Sequence, residues 1–260
     1  MRSELRRTLF SAGTILSCCI VLVCMLGFSM PIWLSTDGSA LDYRASALEL
    51  SLGGIFFGGL MLMLPFCAAL PGAISQVDEV RSGFLYLCGI RESARRYVFT
   101  RTLSAMAAGA ISLAIPFTLH CLMWHFIALP YDPVTYPDQE IIFFHLYNDW
   151  SRIAYAIPMY AWIALGLAIT GALWALISLA TAIWIPDKLV AVMVPIGICY
   201  FWSYGLFGHL LGMTLPSPSG IYNDGLSWPR CFQTLAMYAV FGTIALGVYY
   251  TGLKRRLRNA

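Results

Sequence analysis

Side chains that could do chemistry or bind a partner are concentrated between positions 70 and 106. This stretch holds three of the thirteen acidic residues of the chain, Asp78, Glu79 and Glu92. It also holds five of the sixteen basic residues, namely Arg81, Arg91, Arg95, Arg96 and Arg101. Long apolar runs flank it on both sides. It is therefore the segment through which the chain could contact a partner in water.

The residues that would support catalysis or metal binding are missing from the sequence. His120 and His125 are five positions apart, so a helix does not place them together as it would a metal-binding pair at i and i+4. The glycine-rich segment that begins at Gly53 lacks the Lys-Ser/Thr of a nucleotide-binding loop. The eight cysteines form no CxxC pair and are expected to be small packing residues. We expect a chain that is not itself an enzyme and binds no metal or cofactor.

The composition is typical of a protein that lipid surrounds. Hydrophobic residues make up 59% of the 260 residues and charged residues 11%, whereas soluble domains carry about 25% charged residues. The net charge of +3 is small and gives no reason to expect nucleic acid as a partner. The sequence therefore predicts a multi-pass membrane protein.

Six apolar runs reach the roughly 20 residues that a helix needs to cross a bilayer. The predicted spans are 9–33, 48–70, 99–129, 153–185, 189–207 and 232–253. The first is longer than the roughly 7–15-residue core of a signal peptide, so we expect it to be retained. The loops are too short for a soluble domain. We predict an all-α protein in which residues 1–260 form one membrane domain.

The basic residues predict the orientation of these spans, because Lys and Arg accumulate on the cytoplasmic side. With the N-terminus inside, only Arg44, Arg152 and Arg230 of the sixteen basic residues lie outside. Both termini are therefore expected in the cytoplasm. In the second span, Gly54 and Gly58 form a GxxxG motif that favours close helix packing, either within one chain or between two copies.

The charged stretch itself has the pattern of an amphipathic helix that continues or follows the second span. Ile74, Val77 and Val80 recur at three-residue steps with polar residues between them. Gly83 then permits a bend. The pattern alone leaves two interpretations open, a solvated loop and a docking element.

The sequence Glu79-x-x-x-Gly83, followed by Phe84, Leu85 and Leu87 and by Arg91 and Arg101, resembles the cytoplasmic coupling loop of ABC-type-2 permeases. These are membrane subunits of bacterial ATP-binding-cassette exporters. The predicted spans and inward termini also match that family. The chain differs in having Ile-Arg-Glu at 90–92, where many members carry a proline, and in a long outer loop at 130–152.

The resemblance implies a type V exporter in the bacterial cytoplasmic membrane. Two permease subunits, identical or sister chains, would sit in membrane lipid over two ATPase subunits that bind ATP and Mg. The coupling helix between the second and third spans would contact the ATPase through Val77, Glu79, Arg81, Gly83, Phe84 and Leu87. A cavity for an apolar or amphipathic substrate would be lined by Phe56, Phe57, Met61, Met63, Phe201, Trp202 and Phe207.

Two other classes of function are also compatible with six apolar spans. One is a membrane scaffold, sensor or immunity protein that transports nothing. The other is a membrane enzyme or a secondary carrier. Because no ionisable residue lies in the middle of a predicted span, and such residues mark ion pathways, the sequence favours the first of these two.

Overall fold

The computed structural model describes residues 2–36, 50–53, 60–85, 93–128, 156–203 and 228–258. Within these ranges the regular structure is helical throughout, which confirms the predicted all-α class. The helices with defined bounds are α1 (Arg2–Leu9), α2 (Ala12–Thr36), α3 (Leu60–Arg81), α4 (Ala94–Ile127), α5 (Ala156–Trp184), α6 (Lys188–Ser203) and α7 (Trp228–Arg258). Residues 50–53 are also helical.

Four of these helices are long and apolar enough to cross a membrane, which indicates a multi-pass membrane protein. The four segments are Ala12–Leu34, Ala94–Ile127, Tyr160–Trp184 and Phe232–Arg258. Helix α6 is apolar but has 16 residues, about 24 Å of helix, which is less than the roughly 30 Å of a hydrocarbon core. The described residues thus hold four candidate spans, and the full set of six stays a prediction.

The first predicted span corresponds to one helix, α2, and a separate short helix, α1, precedes it. The backbone turns at Phe10 and Ser11, between α1 and α2. The Ser11 hydroxyl accepts a hydrogen bond from the Thr14 amide at 3.2 Å, and the Thr14 hydroxyl donates to the Thr8 carbonyl at 2.7 Å. Ser11 therefore caps the start of α2 and satisfies a backbone amide that has no partner within the helix.

One continuous helix, α3, contains the end of the second predicted span and the start of the amphipathic pattern that follows it. Helix α3 runs from Leu60 to Arg81, so the polar turn around Glu79 is the end of α3 and not a separate element. Gly83 has a φ of 72°, which confirms the expected bend, because a residue without a Cβ adopts this conformation readily. Residues 54–59, which include Gly54 and Gly58, lie outside the described part.

Helix α4, which corresponds to the third predicted span, begins earlier than the apolar pattern predicts. It starts at Ala94, and the Ser93 hydroxyl accepts a hydrogen bond from the Arg96 amide at 3.4 Å. This first turn is polar, so hydrophobicity alone does not detect it. One consequence is that Arg101 lies well inside α4.

Helix α5 is the centre of the bundle. In its span 72% of the residues are buried, compared with 22% in the spans of α2 and α7. It packs against α3, α4, α6 and α7. The largest fully buried side chains are Trp124, Trp174, Tyr249 and Phe117. The bundle is therefore built around α5, and α2 and α7 leave most of their surface to lipid or to other chains.

Helices α4 and α5 cross at two glycines, Gly109 and Gly171, where their backbones come close together. A Cβ atom on Gly109 would lie 2.5 Å from the Gly171 carbonyl oxygen and 2.6 Å from the Ala175 Cβ. The backbones touch here, as small residues permit in membrane helices. The sequence pointed to the GxxxG motif at Gly54 and Gly58 and did not predict the contact at Gly109.

We expect Gly109→Leu to destabilise the bundle by about 1–3 kcal/mol or more, because the new side chain has no space between two backbones. The measurement is unfolding of the purified chain in detergent. Gly247→Leu is the matched control, because a Cβ on Gly247 meets no atom within 4 Å. Equal loss of stability in both variants would contradict a close crossing at Gly109.

Candidate functional site

The charged end of α3 holds a buried polar cluster, which we call the Glu79 network (Arg7, Ser75, Gln76, Glu79, Tyr97, Arg101 and Tyr249). The Glu79 side chain is only 8% exposed. Its Oε1 accepts a hydrogen bond from Arg7 and lies 3.4 Å from Nη2 of Arg101. Its Oε2 accepts a hydrogen bond from the Tyr97 hydroxyl at 2.8 Å. Three helices thus meet at one carboxylate.

Arg101 is the second centre of the network, with a side chain that is 2% exposed. Its Nε donates to Oε1 of Gln76 at 3.1 Å, and its Nη2 donates to the Ser75 hydroxyl at 2.6 Å. The Tyr249 hydroxyl donates to the same Gln76 oxygen at 3.3 Å and brings in α7. A charge buried this deeply needs such partners, because unpaired burial would be very costly.

Helical spacing explains why these residues meet. Gln76 and Glu79 are three positions apart on α3, and Tyr97 and Arg101 are four positions apart on α4, so each pair shares one face of its helix. The two faces lie against each other where α3 and α4 pack. The network is therefore a seam between two helix ends, and Arg7 and Tyr249 approach it from α1 and α7.

A second set of contacts joins the same end of α3 to the turn between α5 and α6. Nζ of Lys188 lies 2.7 Å from a carboxylate oxygen of Asp78. Arg81 lies 3.3 Å from the Asp187 carboxylate and donates through Nε to the Pro186 carbonyl at 2.7 Å. These side chains are about half exposed, so each ion pair contributes little, roughly 0–1 kcal/mol.

Asp187 also fixes the start of α6. Its Oδ1 accepts hydrogen bonds from the amides of Leu189 at 2.9 Å and Val190 at 3.1 Å. It therefore caps α6 while it pairs with Arg81. The end of α3 is thus connected by polar contacts to α1, α4, α7 and the α5–α6 turn.

The end of α5 is attached to α7 by a further group of contacts. Arg256 donates to the carbonyls of Ile183 and Trp184, which end α5 and have no partner within the helix. The Trp184 indole donates to the Val248 carbonyl at 3.0 Å, and the Arg255 guanidinium lies 5.5 Å from the Trp184 ring centroid. The basic end of α7 is therefore held against α5.

The residues predicted to couple to an ATPase divide into two groups. Val77 and Glu79 are both buried, so they lie inside the protein. Arg81 and Phe84 lie on the surface, and Phe84 is 40% exposed. Gly83 forms the bend between them. Leu87 lies outside the described residues.

The residues predicted to line a substrate cavity do not share one environment. Met63 and Phe201 are exposed by 51% and 52%, whereas Trp202 is 3% exposed. The Trp202 ring packs on Phe241 with centroids 4.7 Å apart. Phe56, Phe57 and Phe207 lie outside the described part, as does the side chain of Met61. The cavity stays a prediction.

His120 takes part in a polar cluster between α2 and α4. The Trp124 indole lies 3.0 Å from Nε2 of His120 and donates to the Ser29 hydroxyl at 3.1 Å. Ser29 in turn lies 3.1 Å from Nε2 of His120. In the part of the chain that the structure describes, no three His, Cys, Asp or Glu side chains come together as a metal site.

Sequence reasoning missed most of the Glu79 network. Arg7, Tyr97 and Tyr249 lie far from Glu79 along the chain, and no local pattern connects them. One signal was present: Arg101 falls inside the predicted third span, where a charge needs a partner. Chemically, the Glu79 network is a set of interhelical hydrogen bonds around two buried charges.

No protein-family model, no curated protein and no solved structure matches this chain. Its function is therefore inferred from the contacts described above.

We expect Glu79→Gln to lower the free energy of unfolding by about 3–5 kcal/mol, because it leaves the buried Arg101 charge without its partner. The double variant with Arg101→Met should recover part of that loss, since it removes the orphaned charge. The measurement is chain unfolding in detergent micelles.

Asp78→Asn is the matched control. It removes the neighbouring carboxylate on the same helix, whose side chain is 56% exposed and pairs with Lys188. A change of about 0–1 kcal/mol is expected there. If Glu79→Gln costs no more than Asp78→Asn, the Glu79 network does not hold these helices together.

Proposed function

We propose that this chain is the membrane subunit of an ATP-driven exporter whose ATPase is a separate protein. The observation that supports this most is the two-sided end of α3. Arg81 and Phe84 face outward, while Glu79 is tied inward to α1 and α4. A partner that pressed on the exposed side would act on several helices at once.

The proposed coupling runs along α3. This helix has 22 residues and is therefore about 33 Å long, close to the thickness of a hydrocarbon core. A displacement at the Gly83 bend would move α3 together with α4 through the Glu79 network, and would reach the α5–α6 turn through Arg81. ATP can drive such a movement only if the ATPase binds the two arrangements of the membrane subunit with different affinity.

The proposed complex holds two membrane subunits and two ATPase subunits in the bacterial cytoplasmic membrane, with both termini of each chain inside. ATP and Mg bind to the ATPase, and the exported substrate is apolar or amphipathic. The coupling surface of this chain is the exposed bend formed by Arg81, Gly83 and Phe84. Val77 and Glu79 act behind that surface, by positioning α3.

The topology gives one test. The last turn of α7 carries Arg255, Arg256 and Arg258, and such clusters stay in the cytoplasm. We expect a fluorescent protein fused after Ala260 to fluoresce in cells and alkaline phosphatase at the same position to be inactive. The opposite pattern would place this end outside and exclude an ATPase docked at the α3 bend.

The coupling surface gives the second test. We expect Phe84→Asp to abolish co-purification of an ATP-binding-cassette ATPase from native membranes, and to remove the effect of the chain on that ATPase's rate. The cause is the loss of an apolar contact and the gain of a charge within it. Phe10→Asp is the matched control, since Phe10 is 75% exposed and follows α1, the helix that reaches Glu79 through Arg7.

Both variants should unfold at the temperature of the natural chain, because each changes an exposed side chain. If the natural chain, folded in nanodiscs, binds no such ATPase and changes no ATPase rate, it is not an exporter subunit. Equal loss of ATPase binding in both variants would show that the bend at Gly83 is not the docking site.

A further inference from the structure

An apolar groove lies at the surface of the described bundle, between α5, α6 and α7. Its volume is about 380 Å³, and its walls include Ile177, Trp184, Ile198, Phe241 and Val248. The two polar groups in its lining are already engaged. The Thr181 hydroxyl donates to the Ile177 carbonyl at 3.0 Å, and the Trp184 indole donates to the Val248 carbonyl. The groove therefore suits a hydrocarbon chain.

One end of this groove is strongly basic. The Arg255 guanidinium lies 5.5 Å from the ring centroid of Trp184, which forms part of the groove wall. Lys254, Arg255 and Arg258 are exposed, whereas Arg256 is occupied by the carbonyls that end α5. From Trp184 the wall extends back to Ile177, seven residues along α5, which is about 10 Å of helix. The apolar groove thus ends beside the exposed Arg255 guanidinium, whose N–H groups could pair with a headgroup while its plane stays near the Trp184 ring.

We propose that this groove binds an anionic phospholipid, with one acyl chain along α5 and α7 and the phosphate at Arg255. The two parts of the site match the two parts of such a lipid. Basic side chains at a membrane surface attract anionic headgroups, and basic pockets between helices hold them. A zwitterionic lipid would fit the same groove, but Arg255 would contribute much less to its binding free energy.

Charge also favours a lipid over a second copy of the chain. In a two-fold interface the same patch faces itself, so the basic end of α7 would meet its own image. Four basic residues from each copy, Lys254, Arg255, Arg256 and Arg258, would then come close together. Like charges repel when they are brought together, whereas an anionic lipid places a charge of opposite sign beside Arg255. This inference does not depend on the proposed transport function.

The test is native mass spectrometry of the full chain in detergent with an equal mixture of phosphatidylglycerol and phosphatidylcholine. We expect the natural chain to retain phosphatidylglycerol selectively. Arg255→Ala should lower the ratio of bound phosphatidylglycerol to phosphatidylcholine about fivefold, the effect of one basic contact to an anionic lipid. Arg95→Ala, which removes an exposed charge on α4, a helix that does not line the groove, should leave the ratio unchanged.

A second variant tests the groove itself. Ile244 lines the groove and is 56% exposed, so Ile244→Trp should fill the slot without unfolding the chain and should lower binding of both lipids. Three results would each overturn the proposal. They are equal retention of the two lipids by the natural chain, an equal effect of Arg95→Ala and Arg255→Ala, and a dimer that Ile244→Trp dissociates with lipid binding unchanged.

Discussion

The buried pair of Glu79 and Arg101 is the contact on which the arrangement of the helix ends depends. An ion pair in a nearly dry environment is stable only when further hydrogen bonds satisfy both groups. Tyr97, Gln76 and Arg7 supply them here, from three different helices. Removing either charge would leave the other buried without its partner, so the pair constrains how α1, α3 and α4 can be arranged. Any shift of α3 relative to α4 must keep or replace these bonds.

The glycine crossing and the Glu79 network constrain α4 from different directions. At Gly109 the backbone of α4 touches that of α5, which fixes their separation sterically. Eight residues earlier, Arg101 fixes α4 against α3 by charge and hydrogen bonds. The first contact tolerates no larger side chain, while the second tolerates rearrangement if partners are exchanged. Movement is thus easier to accommodate at the polar end than at the crossing.

The sequence predicted the class of this fold well because its evidence is local. Long apolar runs and the bend that Gly83 permits can be identified without knowing what packs against them. Burial of Glu79 could have been anticipated in part, because residues 79 and 81 point to nearly opposite sides of a helix that turns about 100° per residue. The side chains of residues 79 and 81 therefore could not both contact the same surface of an ATPase. Tyr249 could not have been placed, since 170 residues separate it from Glu79 and only the packing of α7 brings it near.

The two faces of the last turn of α3 differ in how strongly their contacts hold the helix. Asp78 and Arg81 lie on the outer face, where their ion pairs to Lys188 and Asp187 are weak and easily exchanged. Glu79 lies on the inner face, where exchange is costly. A partner protein could replace the outer contacts with its own without unfolding the chain, and the inner contacts would carry the displacement to α4. A coupling element needs this combination, since a helix loose on both faces would transmit nothing and one fixed on both could not respond.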